Sequence, residues 1–290
     1  MSWIADAHAK INLGLQVLER LPTGYHRIET GYCFLEWKDR FEITEAPEMQ
    51  VEMEGSDIPT DQTNLINRAL NTLDRYLGIS GTYRIKVDKN IPVGAGLGGG
   101  SSDAALTLRM INKIENLGLT DEELVDLSRD LGADIPFFIK GEPGIGTGIG
   151  QEITPMEIQP DLWIVTCYPN VESSTAEAYR RCEPNPEPEL SIEYILREVE
   201  PDEWRYMLVN DLEPAVFPRI HMVGNLKDQF YEFGAVYASM SGSGSAVYGL
   251  FEQDFVAINA FNGLNDLGLP TNITRPGFTP DYGIYRKQED

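Results

Sequence analysis

The stretch PVGAGLGGGSSDAA runs from Pro92 to Ala105. It lies between two patterned segments. Upstream, Thr82 to Val87 alternates, with Tyr83, Ile85 and Val87 on one side, which predicts a strand. Downstream, Ala104, Leu108 and Ile111 recur at helical spacing, and Ser102 or Asp103 is placed to cap the first turn. Glycines between a strand and a helix let the backbone approach a ligand and point successive N–H groups at it. The helix N-terminus adds partial positive charge, which suits phosphate. Pro92, Val93, Gly94, Ala95, Gly96, Leu97, Gly98, Gly99, Gly100, Ser101 and Ser102 therefore form a candidate phosphate-holding loop. Its two serine hydroxyls are placed for phosphate oxygens or Mg²⁺. A merely flexible surface loop has no need of such flanks.

Two familiar phosphate motifs do not fit. A Walker loop needs lysine after its last glycine, and Gly100 is followed by Ser101. Gly94, Gly96 and Gly99 match G-x-G-x-x-G by spacing. A dinucleotide fold then wants a strand ending in an acid about 20 residues on. Around Thr120 and Asp121 the chain opens another helix instead. There Thr120 and Glu123 form a capping-box pattern, Leu124, Leu127 and Leu131 make the apolar stripe, and Gly132 is expected to end it. Asp134 lies just beyond. The glycine-rich stretch Gly141 to Gly150 precedes a strand-like Leu162 to Cys167, which places a domain boundary near Thr154. Glu183 to Glu189 alternates proline with acid or asparagine and reads as an exposed loop.

The bulk numbers narrow the function class. The chain has 290 residues, 42% of them hydrophobic, enough for a packed core. Its 46 acidic residues outnumber 23 basic ones, for a formal net charge of -23. Such a surface lacks the footprint of a nucleic-acid binder and is repelled by anionic lipid. A well-solvated surface and adaptation to a salty cytoplasm both account for the acidity. The cysteines, Cys33, Cys167 and Cys182, are far apart and form no CxxC pair, so neither a disulfide framework nor a zinc site is expected. Asp6, His8 and Lys10 stand where a signal peptide needs its apolar core. The expectation is a cytoplasmic protein with no membrane, nucleic-acid or obligate protein partner and no resident metal ligand set. His8 and His221 have no motif around them and read as structural or exposed.

The glycine loop as a whole resembles the second motif of the GHMP kinases, small-molecule kinases with a loop unlike the Walker one. ASMSGSGSAVYGLF, Ala238 to Phe251, resembles the family's third motif, a glycine turn beside the phosphate loop. LGADIPFF, Leu131 to Phe138, is similar to the segment with the catalytic aspartate. AKINLGLQVLERLPTGYHRIET, Ala9 to Thr30, is similar to the N-terminal motif of those members that act on cytidine diphosphate methylerythritol. The likeness covers nearly the whole chain in the expected order.

The resemblance implies a two-domain α+β fold. Residues 1–154 would resemble the second domain of ribosomal protein S5 and bind ATP, and residues 155–290 would be ferredoxin-like. The γ-phosphate of ATP, with Mg²⁺, would pass to the 2-hydroxyl of the methylerythritol unit, a step of the non-mevalonate isoprenoid route. By carry-over, Asp134 attends the acceptor hydroxyl, and Lys10 keeps Asp134 ionised and neutralises the phosphoryl group. Asn12 binds substrate near the reacting centre. Tyr25 stacks on cytosine, His26 binds the base, and Thr175 and Tyr179 fit a segment whose aromatic covers the other face. One departure stands out: where relatives often carry G-x-G-E, Gly150 is followed by Gln151 and then Glu152. A GHMP kinase for mevalonate, homoserine or a sugar, a non-catalytic protein of the same fold, and an ATP-consuming decarboxylase are the competing readings.

Overall fold

The computed structural model describes residues 2–287. The chain opens on a long antiparallel hairpin, β1 (Ser2–Arg20) and β2 (His26–Glu45). The tip closes where Leu21 N–H donates to Tyr25 O, with Gly24 at a φ of 89° that a side chain rarely adopts. Then come β3 (Gln50–Glu54), α1 (Leu65–Leu77) and β4 (Tyr83–Asp88). Strand β4 falls where the alternation predicts it, with Tyr83, Ile85 and Val87 buried. The glycine loop follows, then α2 (Gly99–Ile114), α3 (Asp121–Ser128), α4 (Ile135–Lys140), β5 (Gly144–Thr147) and β6 (Glu152–Pro155).

The second half contains β7 (Trp163–Cys167), α5 (Thr175–Arg181), α6 (Ile192–Glu198), α7 (Trp204–Met207), α8 (Glu213–Val216) and α9 (His221–Glu232). It continues through β8 (Tyr237–Met240), β9 (Val247–Phe251), α10 (Asp254–Asp266) and β10 (Thr271–Thr274), and ends in β11 (Tyr285–Lys287). The first sheet runs β11-β1-β2-β4-β3, with β5 on β2 and β6 on β5, and only β3–β4 is parallel. The second runs β10-β7-β9-β8, all antiparallel, with helices between β7 and β8 and between β9 and β10. That order is the ferredoxin-like arrangement.

The chain leaves the first sheet after Pro155 and enters the second at Trp163. It does not stay in the second unit. Phe278 and Tyr282 pack into the first core, and β11 pairs with β1. The hairpin binds the halves together as well: Leu15 and Val17 belong to the core of the second sheet, whereas Ala5 and Ala7 belong to that of the first.

Local chemistry explains the helix ends, with two corrections. The capping box at Thr120 and Glu123 is formed, but α3 stops at Ser128 rather than at Gly132. Leu131 N–H closes a turn onto Ser128 O, which lets Leu131 reach the core without a continuous helix. Helix α2 begins at Gly99, before the expected caps. Its N-cap is Gly98, left-handed at φ 69°, with no side-chain cap. Ser102 and Asp103 lie inside the helix and are buried, so neither caps it.

Candidate active site

Two cavities open on opposite sides of the glycine loop. The smaller, about 400 Å³, is lined by every loop residue from Pro92 to Ser101, together with α1 and Lys89. The larger, about 750 Å³, is lined by Gly94, Gly96, Gly98 and Ser101 from the same loop, and by the hairpin and α5. Gly96 shows why glycine is needed: its φ is 78°, and an added Cβ would lie 2.2 Å from Ser241 O of the third-motif turn. The first helical bond of α2 is Ser102 N–H to Gly98 O, at 2.9 Å. The N–H groups of Gly99, Gly100 and Ser101 precede that ladder and are positioned for an anion. Ser102 itself lines neither cavity. Its hydroxyl donates to His8 O at 2.7 Å, so its role is to tie the helix to β1.

Lys10 and Asn12 project from the same face of β1, because strand side chains alternate. A register shift between His8 and Lys10 accompanies Lys10 N–H donating to Leu97 O at 3.0 Å, which fixes the strand against the loop. The Lys10 ammonium, 4% exposed, donates to Asn12 Oδ1 at 2.5 Å and lies 3.4 Å from Asp134 Oδ2. A buried ammonium without partners is costly, so these two contacts hold it in place. Asn12 Nδ2–H donates on to Thr30 Oγ1 at 2.9 Å. Asp134 sits at the N-cap position of α4 without using its side chain as a cap. Its carboxylate therefore remains available to the cavity.

Tyr32 also belongs to this centre. Directly opposite Asn12 in the hairpin register, it shares that face, and its hydroxyl donates to Asp134 Oδ1 at 3.1 Å. Burial, and then the nearby Asp134 charge, push the phenol well above its ordinary value, so it stays a donor. Counting back along the hairpin from the Gly24 turn pairs Tyr32 with Gly14, and two register shifts, between Val17 and Glu19 and between Leu13 and Leu15, bring it opposite Asn12 instead. Arg20 and Arg180 bring positive charge to the same cavity wall.

At the far end, the His26 and Tyr179 rings stack, with centroids 5.2 Å apart and an interplanar angle of 28°. Tyr25, 61% exposed, lines the same cavity. Burial, reinforced by Arg20, lowers the His26 pKa, so the imidazole is neutral at physiological pH and offers one donor and one acceptor. Thr175 Oγ1 is 2.7 Å from Ser243 Oγ, linking α5 to the third-motif turn. His8, by contrast, is buried and bonded to Leu35 O, and His221 is exposed. The Gly148–Gly150 turn is closed by Gln151, whose side-chain oxygen accepts from Ile149 N–H at 2.7 Å, and Glu152 is exposed.

At the wall of the smaller cavity is a group that composition and motif left unnoticed. Lys89 is buried between two carboxylates, Asp39 and Asp103, donating to Asp103 Oδ2 at 2.7 Å. Asp39 also accepts from the N–H groups of Asn90 and Ile91 at 2.6 and 2.8 Å. Burial raises the Asp103 pKa, opposed by Lys89 and reinforced by Asp39. These residues clamp the ends of the glycine loop.

Known proteins share this sequence pattern and fold. The GHMP kinases N terminal domain matches residues 64–142, and the GHMP kinases C terminal domain matches residues 196–268. A 4-diphosphocytidyl-2-C-methyl-D-erythritol kinase of Azobacteroides pseudotrichonymphae is 41% identical over 89% of this chain and 97% of its own. The chain belongs to the GHMP kinase family. A GHMP relative from Parabacteroides distasonis, bearing the same kinase name, is 42% identical over 86% of this chain and 92% of its own. A crystal structure of a 4-(cytidine 5'-diphospho)-2C-methyl-D-erythritol kinase superposes with a TM-score of 0.79 at 31% identity, covering 94% of this chain and 100% of that one. The mevalonate kinase of Methanococcus jannaschii, at a TM-score of 0.72 and 17% identity, shares the GHMP fold.

Proposed function

We propose that this GHMP kinase transfers the γ-phosphate of ATP to the 2-hydroxyl of 4-(cytidine 5'-diphospho)-2-C-methyl-D-erythritol, in the non-mevalonate route to isoprenoid precursors. The observation that carries this reading is the Lys10–Asp134 pair, 3.4 Å apart, in a cavity that runs from the glycine loop to the Tyr25, His26 and Tyr179 rings. Near-full-length likeness to kinases of that name supports the substrate.

Phosphoryl transfer asks for positioning and charge stabilisation more than covalent chemistry. Asp134 accepts the proton of the acceptor hydroxyl. Tyr32 and Lys10 fix its carboxylate from two sides, and Lys10 also faces the transferring group. The loop N–H groups hold the nucleotide phosphates, with its base in the smaller cavity. Cytosine stacks on Tyr25 and meets His26 and Tyr179 within the cavity, while Arg20 and Arg180 offset the substrate diphosphate in a strongly acidic protein. Mg²⁺ fits best as a partner of ATP: among the described residues no group of three His, Cys, Asp or Glu is gathered to hold an ion, whereas the Ser101 hydroxyl lines both cavities. Bound with ATP, the metal offsets charge on the phosphate oxygens.

We assign residues 1–154 to the ATP-binding unit and 155–290 to its partner, and place the protein in the cytoplasm, where its three free cysteines stay reduced. Among the described residues, no helix is long and apolar enough to cross a membrane. The test is ADP release with a substrate panel. Release with the cytidylated methylerythritol, and none with mevalonate, homoserine or galactose, supports the reading. The reverse pattern overturns it, and CO₂ release would point to a decarboxylase.

A further inference from the structure

We propose that Asn210 is a positioning residue for phosphoryl transfer, holding the third-motif turn against Lys10, Asn12 and the glycine loop. This rests on the site reading above. Asn210 is 5% exposed, in the link between α7 and α8. Its amide nitrogen donates twice into the turn, to Met240 O at 2.8 Å and Gly242 O at 2.9 Å. Its side-chain oxygen accepts from Leu212 N–H at 3.0 Å. Both amide donors are therefore used, and the orientation follows from the partners: only the nitrogen can face two carbonyls.

What Asn210 holds touches the reacting centre from both sides. Ser241 lies between its two carbonyl partners. The Ser241 hydroxyl donates to Gly96 O at 2.9 Å and accepts from Asn12 N–H at 3.3 Å. Gly242 is so close to the centre that a Cβ there would lie 2.9 Å from Asn12 Oδ1 and 3.8 Å from Lys10 Nζ. Neighbouring residues of the same segment anchor its own position. Asp211 Oδ2 accepts from Val17 N–H of β1 at 2.8 Å. Glu213 accepts from Ser239 Oγ and Met240 N–H, each at 2.9 Å, and from Lys227 at 2.6 Å. The segment Asn210–Glu213 thus ties β1, the turn and β8 into one frame, with Asn210 as the member that reaches the turn.

Asn210→Asp keeps the shape and the Leu212 contact but removes both donors. At pH 8 its kcat should fall about ten- to a hundredfold, the cost of a misplacement near 1 Å, with KM for both substrates nearly unchanged. The introduced carboxyl faces two carbonyl oxygens, so it titrates above the ordinary carboxylate range and regains a donor when protonated. The ratio of variant to wild-type kcat should therefore rise as pH falls. The charged groups near this side chain, Asp211, Glu213, Lys227 and Lys10, are present in both proteins, so the comparison with wild type isolates the introduced carboxyl and its coupling to them. Amide exchange at 241–246 should accelerate while β9 stays protected, a reading that needs no activity. If the Asp variant does not fold, Asn210→Ser carries the same kcat and exchange measurements. Unchanged kcat with unchanged exchange overturns the proposal, as does a kcat loss identical at every pH. A wild-type enzyme inactive on the cytidylated substrate would instead overturn the proposed function, and exchange at 241–246 would still judge the clamp.

Discussion

On one side of the glycine loop, a single run of chain, Pro92 to Ser101, supplies most of the cavity wall, and a buried Asp39–Lys89–Asp103 group braces it. On the other side, the wall is assembled from β1, β2, the start of α4, α5 and the third-motif turn. The first side is a local backbone device for a ligand part that many kinases share. The second is a long-range convergence of side chains, and specificity lives there. The two also differ in what their charges do. Lys89, at the wall of its cavity, is spent on two carboxylates that join structural elements, whereas Asp134 beside Lys10 keeps 29% of its side chain exposed.

The contrast is broken or sharpened by substitution, beginning with the largest effect. Lys89→Met leaves two buried carboxylates uncompensated and should cost about 3–5 kcal/mol of stability by denaturant unfolding, whereas Asp103→Asn, which keeps an acceptor for Lys89, should cost far less. Equal losses would mean that Lys89 does not brace the loop. Lys10→Ala or Asp134→Asn should instead lower kcat at least about 100-fold with a fold intact by circular dichroism. Near-normal turnover in either would remove the assigned roles. Tyr25→Ala and Tyr179→Ala should each raise KM for the cytidylated substrate about tenfold, the scale of one base stacking on a ring, with kcat held. A loss of kcat alone would move the base elsewhere.

Smaller effects probe single contacts. Tyr32→Phe removes one hydrogen bond to the Asp134 carboxylate and should lower kcat about tenfold without changing KM. For His26, whose pKa is lowered by burial and Arg20, the neutral ring persists somewhat below the usual histidine range. KM for the cytidylated substrate should stay flat from pH 8 through 6.5 and rise only at lower pH. Arg20→Gln should move that rise to higher pH, because removing a neighbouring cation favours the imidazolium.

Legibility in the sequence follows the same division. The strand before the loop, the capping box at Thr120 and the loop itself are short-range patterns, and the structure has each of them. Helix ends set by tertiary contacts were not visible: α3 stops early so that Leu131 can turn into the core, and α2 starts early because glycine both breaks left-handed and enters the helix. Ser102 looked like a ligand because its neighbours do, yet its hydroxyl ties α2 to His8. Tyr32, Lys89 and Asn210 stand outside the quoted motifs, and each reaches a partner at least 14 residues away. For Tyr32, two register shifts in the hairpin hide its pairing with Asn12 from a simple count. Nothing local in the sequence marks Asn210 as the residue that holds the turn.

The most direct measurement is phosphorus NMR of the product formed from ATP and 4-(cytidine 5'-diphospho)-2-C-methyl-D-erythritol. The carbon bearing the 2-hydroxyl carries a methyl group and no hydrogen. Transfer to that oxygen therefore gives a new phosphomonoester resonance without three-bond proton coupling. That singlet, absent with Asp134→Asn over the same time, is the predicted result. A proton-coupled resonance, from a different hydroxyl, or ADP formation with no new phosphomonoester would contradict it.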